Sequence, residues 1–164
     1  ITNNLEELVS NICGDDVNIV LLSGGTQANL VVISKILSPY EAVIAVDSGH
    51  INVHETGAIE HSGHKVLALD GMNGLLSAEA IREAVEEHLA EDGPEHTVQP
   101  GMVYISHPTE NGTLYKKEEL KSLYETCKKL ARTIADIAES YEIIKDFLEE
   151  AIFYRKNHGP LDIF

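Results

Sequence analysis

The chain has 164 residues, 43% hydrophobic and 5% aromatic, and its 12 basic and 27 acidic side chains give a formal net charge of −15. That length suits one domain able to bury a core, and the charge disfavours nucleic acid, whose phosphates are neutralised by Lys and Arg. No apolar run approaches the roughly 20 residues a membrane-spanning helix needs. With no visible signal peptide, and with Cys13 and Cys127 in neither metal nor disulfide spacing, a cytoplasmic protein with reduced thiols is expected.

Leu5 to Ile12 carries apolar residues at helical spacing and ends at Gly14. Asn18 to Leu22 reads as a short buried strand closed by Ser23-Gly24-Gly25, and Ala28 to Leu37 as a helix stopped before Pro39. Ala42 to Val46 is a second strand, and Ile51 to His61 a helix weakened by Gly57. Lys65 to Leu69 is a third strand, and a helix runs from Ser77 to about Ala90. Met102 to Ser106 is the fourth strand, followed by a helix over Lys117 to Lys129. Short apolar strands separated by helices predict an α/β fold, with a mostly parallel sheet flanked by helices. In such sheets ligands bind beyond the carboxyl ends of the strands.

From Leu130 the alternation stops. Leu130 to Ile137 and Tyr141 to Tyr154 are two helical stretches with no strand between them. The second has an apolar face at Ile143, Ile144, Phe147, Leu148, Ala151 and Ile152. Two regions are therefore expected, residues 1–129 and a C-terminal helical pair over 130–164.

Three segments carry candidate chemistry. Ser23-Gly24-Gly25-Thr26-Gln27 joins a strand to a helix, where free N–H groups and the positive helix end suit a phosphate. A tight turn with a helix cap explains the same residues equally well. His50 and Glu55 follow the second strand, and an imidazole there could face a planar ligand. His50, His54, His61 and His64 raise a zinc reading, but no His-Glu-x-x-His arrangement occurs. No metal is therefore expected, and several of these histidines suit a plain surface. His107, Thr109 and Glu110 leave the fourth strand, in what is otherwise a turn shaped by Pro108 and Gly112.

In order and spacing, Gly25-Thr26-Gln27, then His50 and Glu55, then Thr109-Glu110-Asn111-Gly112 resemble the low-specificity threonine aldolases. These are pyridoxal-phosphate enzymes of the beta-eliminating lyase group, with the aspartate aminotransferase fold. Residues 1–129 carry the resemblance, which implies part of that fold's large domain. It further implies that Gly25, Thr26 and Gln27 hold the cofactor phosphate and that His50 stacks on the pyridine ring and serves as a base. Glu55 would lie beside His50. Glu110 stands where the family has a histidine facing the substrate hydroxyl, so the matching proton chemistry differs here. The implied activity is cleavage of a β-hydroxy amino acid to glycine and an aldehyde, by an enzyme that is a homo-oligomer.

The family's Asp-Gly-Ala-Arg strand and its Gly-Thr-Lys-like loop do not occur in this sequence. The lysine that holds the cofactor as a Schiff base is thus missing, and the chain is expected to be a fragment, inactive alone. Residues 130–156 resemble instead the C-terminal helical lid of magnesium-chelatase-like AAA ATPases, with Arg132 at the sensor position. The plainer alternative is a generic amphipathic helix pair. The alternative to the lyase reading is a non-catalytic α/β fragment, or a composite chain with a helical interaction segment.

Overall fold

The computed structural model describes residues 9–11 and 19–137. Three strands, β1 (Glu41–Val46), β2 (Val66–Leu69) and β3 (Gln99–Val103), form a parallel sheet in the order β2-β1-β3. Helix α1 (Gly25–Ile36) precedes the sheet, and two single-turn helices, α2 (His50–Val53) and α3 (Ala58–His61), join β1 to β2. Helix α4 (Ala78–Ala90) and a 3-10 turn (Pro94–His96) lead into β3, and α5 (Lys117–Ile137) follows it.

The central strand organises both faces. Side chains alternate along a strand, so Ile44 and Val46 join one cluster while Val43 and Ala45 join the other. The first packs with Leu76, Ile81, Val85, Tyr115 and Leu123, drawn mainly from α4, α5 and the segments before them. The second packs with Ile33, Leu37, Ile51 and Ile59 from α1, α2 and α3. Full burial of each large aliphatic side chain contributes about 1.5–3 kcal/mol. Helix α4 forms because Ile81 and Val85 share its buried face and Ser77 caps it. The Ser77 hydroxyl accepts the Ala80 N–H at 3.0 Å, a cap worth about 1 kcal/mol.

The α/β class and the parallel sheet flanked by helices agree with the sequence reading. Four element boundaries do not. Residues 19–22 form no strand, with Val20 75% and Leu21 62% exposed. An apolar run becomes a strand only with a ladder partner, and neither edge of the sheet takes this one up. Strand β3 begins at Gln99 and leaves the sheet after Val103, three residues earlier than the apolar pattern suggests. Its pairing with β1 slips between Ala42 and Val43 opposite Pro100, and such an irregularity is where a strand tolerates proline.

The helix expected over 51–61 is split in two. Thr56 (φ 52°) and Gly57 (φ 73°) both adopt left-handed backbone, which a helix cannot contain and which glycine accepts without strain. Helix α5 runs through Lys129 to Ile137, since no Gly or Pro occurs between Lys117 and Ile137. The Tyr141–Tyr154 helix, and any covering of an apolar face by it, lies outside the described residues. Among those residues, no helix is long and apolar enough to cross a membrane.

Candidate active site

Two walls meet beyond the carboxyl end of β1. The first begins with a tight turn, in which the Gly49 N–H bonds the Val46 carbonyl at 2.8 Å. A Cβ at position 49 would sit 2.9 Å from that same carbonyl oxygen, so glycine is required for the backbone to turn here. The Asn52 side chain closes the turn by donating to the Asp47 carbonyl at 2.6 Å. His50 therefore starts α2 at a fixed place at the end of the sheet.

The break at Thr56 and Gly57 folds the next segment back and buries Glu55. Its side chain is fully buried, whereas that of His50 stays 38% exposed. Glu55 Oε1 lies 2.8 Å from His50 Nδ1 and accepts the Asn29 amide at 2.5 Å. Glu55 Oε2 is buried with no hydrogen-bond partner among the described residues. With the carboxylate as acceptor, a neutral His50 donates through Nδ1 and keeps a lone pair on Nε2. The His54 ring stands 5.5 Å from the His50 ring, tilted by 54°.

The second wall is the turn into α1. Its N-cap, Gly24, makes no side-chain cap, and Gln27 Oε1 instead accepts from the Ser23 N–H and hydroxyl, both at 2.8 Å. The first N–H groups of a helix have no partner inside it. Beside them, a Cβ at Gly24 or Gly25 would meet nothing within 4 Å. A backbone open on this side, at the positive end of a three-turn helix, fits a phosphate group. Asn29 lies one helical turn beyond Gly25 on the same face, about 6 Å along the axis. Through it the two walls are joined.

The segment after β3 adds Tyr104, whose phenol is pushed up by burial, the charges of Glu55 and Glu110 acting in the same direction. Glu110 itself is exposed, in a turn held by Thr109. There the Thr109 N–H bonds the Thr113 carbonyl at 2.9 Å, and the Thr109 hydroxyl accepts the Thr113 N–H at 3.0 Å. His107 faces Tyr115 and accepts its N–H at 3.4 Å. The structure thus brings His50 and Glu55 into contact and keeps Glu110 on an exposed loop. The other histidines are dispersed: His61 is exposed, and buried His64 places Nδ1 3.0 Å from the Glu41 carbonyl. Among the described residues, no group of three or more His, Cys, Asp or Glu side chains is placed to hold a metal.

Asn29 is the residue that sequence reasoning passed over. It lies on α1 just after the turn, and its one visible signal was its place four residues after Gly25, on the face that carries the open N–H groups.

The sheet and the two walls define an α/β scaffold with a candidate ligand site beyond the carboxyl end of the central strand. The beta-eliminating lyase family model matches residues 1–141, and the chain belongs to that family, in its pyridoxal-phosphate-dependent threonine aldolase group. The chain is 32% identical over 117 residues to a low-specificity L-threonine aldolase of a Pseudomonas species and 31% identical over 117 residues to one of Pseudomonas aeruginosa. Each match covers 70% of this chain and 33% of the relative. A threonine aldolase structure from Leishmania major superposes with a TM-score of 0.70 at 42% identity, over 77% of this chain and 36% of that one. The chain thus spans about a third of the length of the relatives it matches. The family match runs to residue 141, across the change of character at Leu130.

Proposed function

We propose that this chain carries the phosphate seat and the ring-facing imidazole of a threonine aldolase-type lyase, which cleaves a β-hydroxy amino acid to glycine and an aldehyde. The observation that carries this reading is the His50–Glu55 pair at 2.8 Å, tied by Asn29 to the open start of α1. Gly25, Thr26 and Gln27 would hold the cofactor phosphate through backbone N–H groups and the Thr26 hydroxyl. When bound, pyridoxal phosphate supplies an electron sink for the bond cleaved at the amino acid's α-carbon. His50 would stack on the bound ring, and its Nε2 would be free to accept a proton from the substrate. Glu55 is fully buried, which suits it to hold His50 rather than to meet substrate. Exposed Glu110 is left to orient a hydroxyl. Turnover by this chain alone is negligible, because none of its lysines stands in the sequence context in which the family holds the cofactor aldehyde.

The test is an absorbance titration with pyridoxal phosphate, then borohydride reduction and peptide mass mapping. Saturable binding without an adduct on one lysine is the expected result. A single trapped lysine, with acetaldehyde released from threonine and lost in His50→Ala, would show that the chain is active by itself. No saturable binding would remove the phosphate seat. A homo-oligomeric assembly is supported by the exposed Val20 and Leu21 and by the two sheet edges, β2 and β3, that have no further strand beside them among the described residues. A monomeric mass by light scattering at micromolar concentration would rule it out.

A further inference from the structure

Glu55 Oε1 receives two groups from two different elements, the Asn29 amide from α1 at 2.5 Å and the His50 imidazole from the start of α2 at 2.8 Å. The other carboxylate oxygen is buried without a partner among the described residues. Among the described residues, Asn29 is thus the one fixed donor on this carboxylate apart from the imidazole that the carboxylate itself orients. We propose that Asn29 is a positioning residue which, by holding Glu55, locks neutral His50 in the Nδ1–H tautomer and leaves Nε2 as the proton acceptor of the site. The tautomer of an imidazole is set by the bond its other nitrogen makes, and free rotation of Glu55 would remove that constraint.

The inference rests on the lyase reading for the use made of Nε2, and on the geometry alone for the tautomer. Asn29 also links the phosphate turn to the imidazole, since it lies on the helix whose first N–H groups form that turn. Among the described residues, two titratable groups lie against His50: Glu55 and the tilted His54 ring 5.5 Å away; half-buried Tyr104, its phenol pushed up by burial, feels the charge of Glu55. None of them but Glu55 is bonded to Nδ1.

Long-range proton–nitrogen correlation spectra of the full 164-residue chain, labelled with nitrogen-15 and recorded without cofactor well above the ordinary imidazole range, test this. The His50 resonance is identified by its loss in His50→Ala. In the wild type, His50 shows the Nδ1–H pattern. In Asn29→Ala and in the isosteric Asn29→Asp, the Nδ1–H to Nε2–H ratio falls by about tenfold, the amount one charge-assisted hydrogen bond supplies. A wild-type His50 in the Nε2–H form overturns the proposal even if neither variant folds. An unchanged ratio in folded variants overturns it as well. Because no cofactor is present, failure to bind pyridoxal phosphate would remove the lyase reading and leave this one standing, and a wrong tautomer would do the reverse.

Discussion

The two walls of the site are built from different amounts of structure. The wall at His50 grows from a strand buried along Ala42–Val46 and ends in side chains with mutual partners. The wall at Ser23–Gln27 follows residues that form no strand, and all five of its residues are exposed. One end of the site is therefore shaped by packing within the chain, and the other presents exposed helix-start N–H groups that have no partner within the helix. The lesson is that a binding turn is formed locally by its helix, whereas a catalytic side chain needs a core behind it.

Substitution on either side sharpens this contrast most. Ile44→Ala removes a side chain shared by the sheet and α4, and should cost about 2–5 kcal/mol in urea unfolding. Leu21→Ala should change stability by no more than about 0.5 kcal/mol. Equal effects would mean that the two walls are packed alike. Gly49→Ala forces a Cβ against the Val46 carbonyl, so it should destabilise by about 1–3 kcal/mol and displace His50. A neutral outcome in thermal unfolding would deny the tight turn. Thr26→Ala acts on the open wall alone, weakening pyridoxal phosphate binding about fivefold through one lost hydroxyl bond of about 1 kcal/mol, with unchanged unfolding.

The smallest effect is alkaline. Burial pushes the Cys127 thiol up to about 11 and raises the Tyr115 and Tyr104 phenols. All three hold their protons more tightly folded than unfolded, so their contribution is complete below the ordinary thiol and phenol values and is lost as pH rises through the raised ones. Stability should fall from about pH 9 upward. Cys127→Ala should flatten the first part of that fall, and a pH-independent midpoint there would contradict it.

Much of this was legible in the sequence. The β1 and β2 runs, the Ser77-capped helix and the place of His50 just past a strand end follow from apolar periodicity and punctuation, whereas Glu55 beside His50 is expected only from the family resemblance. Residues 19–22 were misread because composition shows an apolar strand but not whether a neighbour exists for it. Pro100 concealed the start of β3, since only the paired strand reveals the slip that accommodates it. Gly57 weakened the predicted helix, but the companion left-handed Thr56, which turns Glu55 inward, carries no signal of its own. Asn29 escaped because its role depends on a contact 26 residues away in sequence.

Amide hydrogen exchange of the full chain, with and without pyridoxal phosphate, tests the division between the walls most directly. The amides of β1 should exchange slowly in both samples, and those of Gly25, Thr26 and Gln27 should exchange fast alone and slow when the cofactor is added. Unchanged fast exchange at all three residues in saturating cofactor would show that the turn is not the phosphate seat.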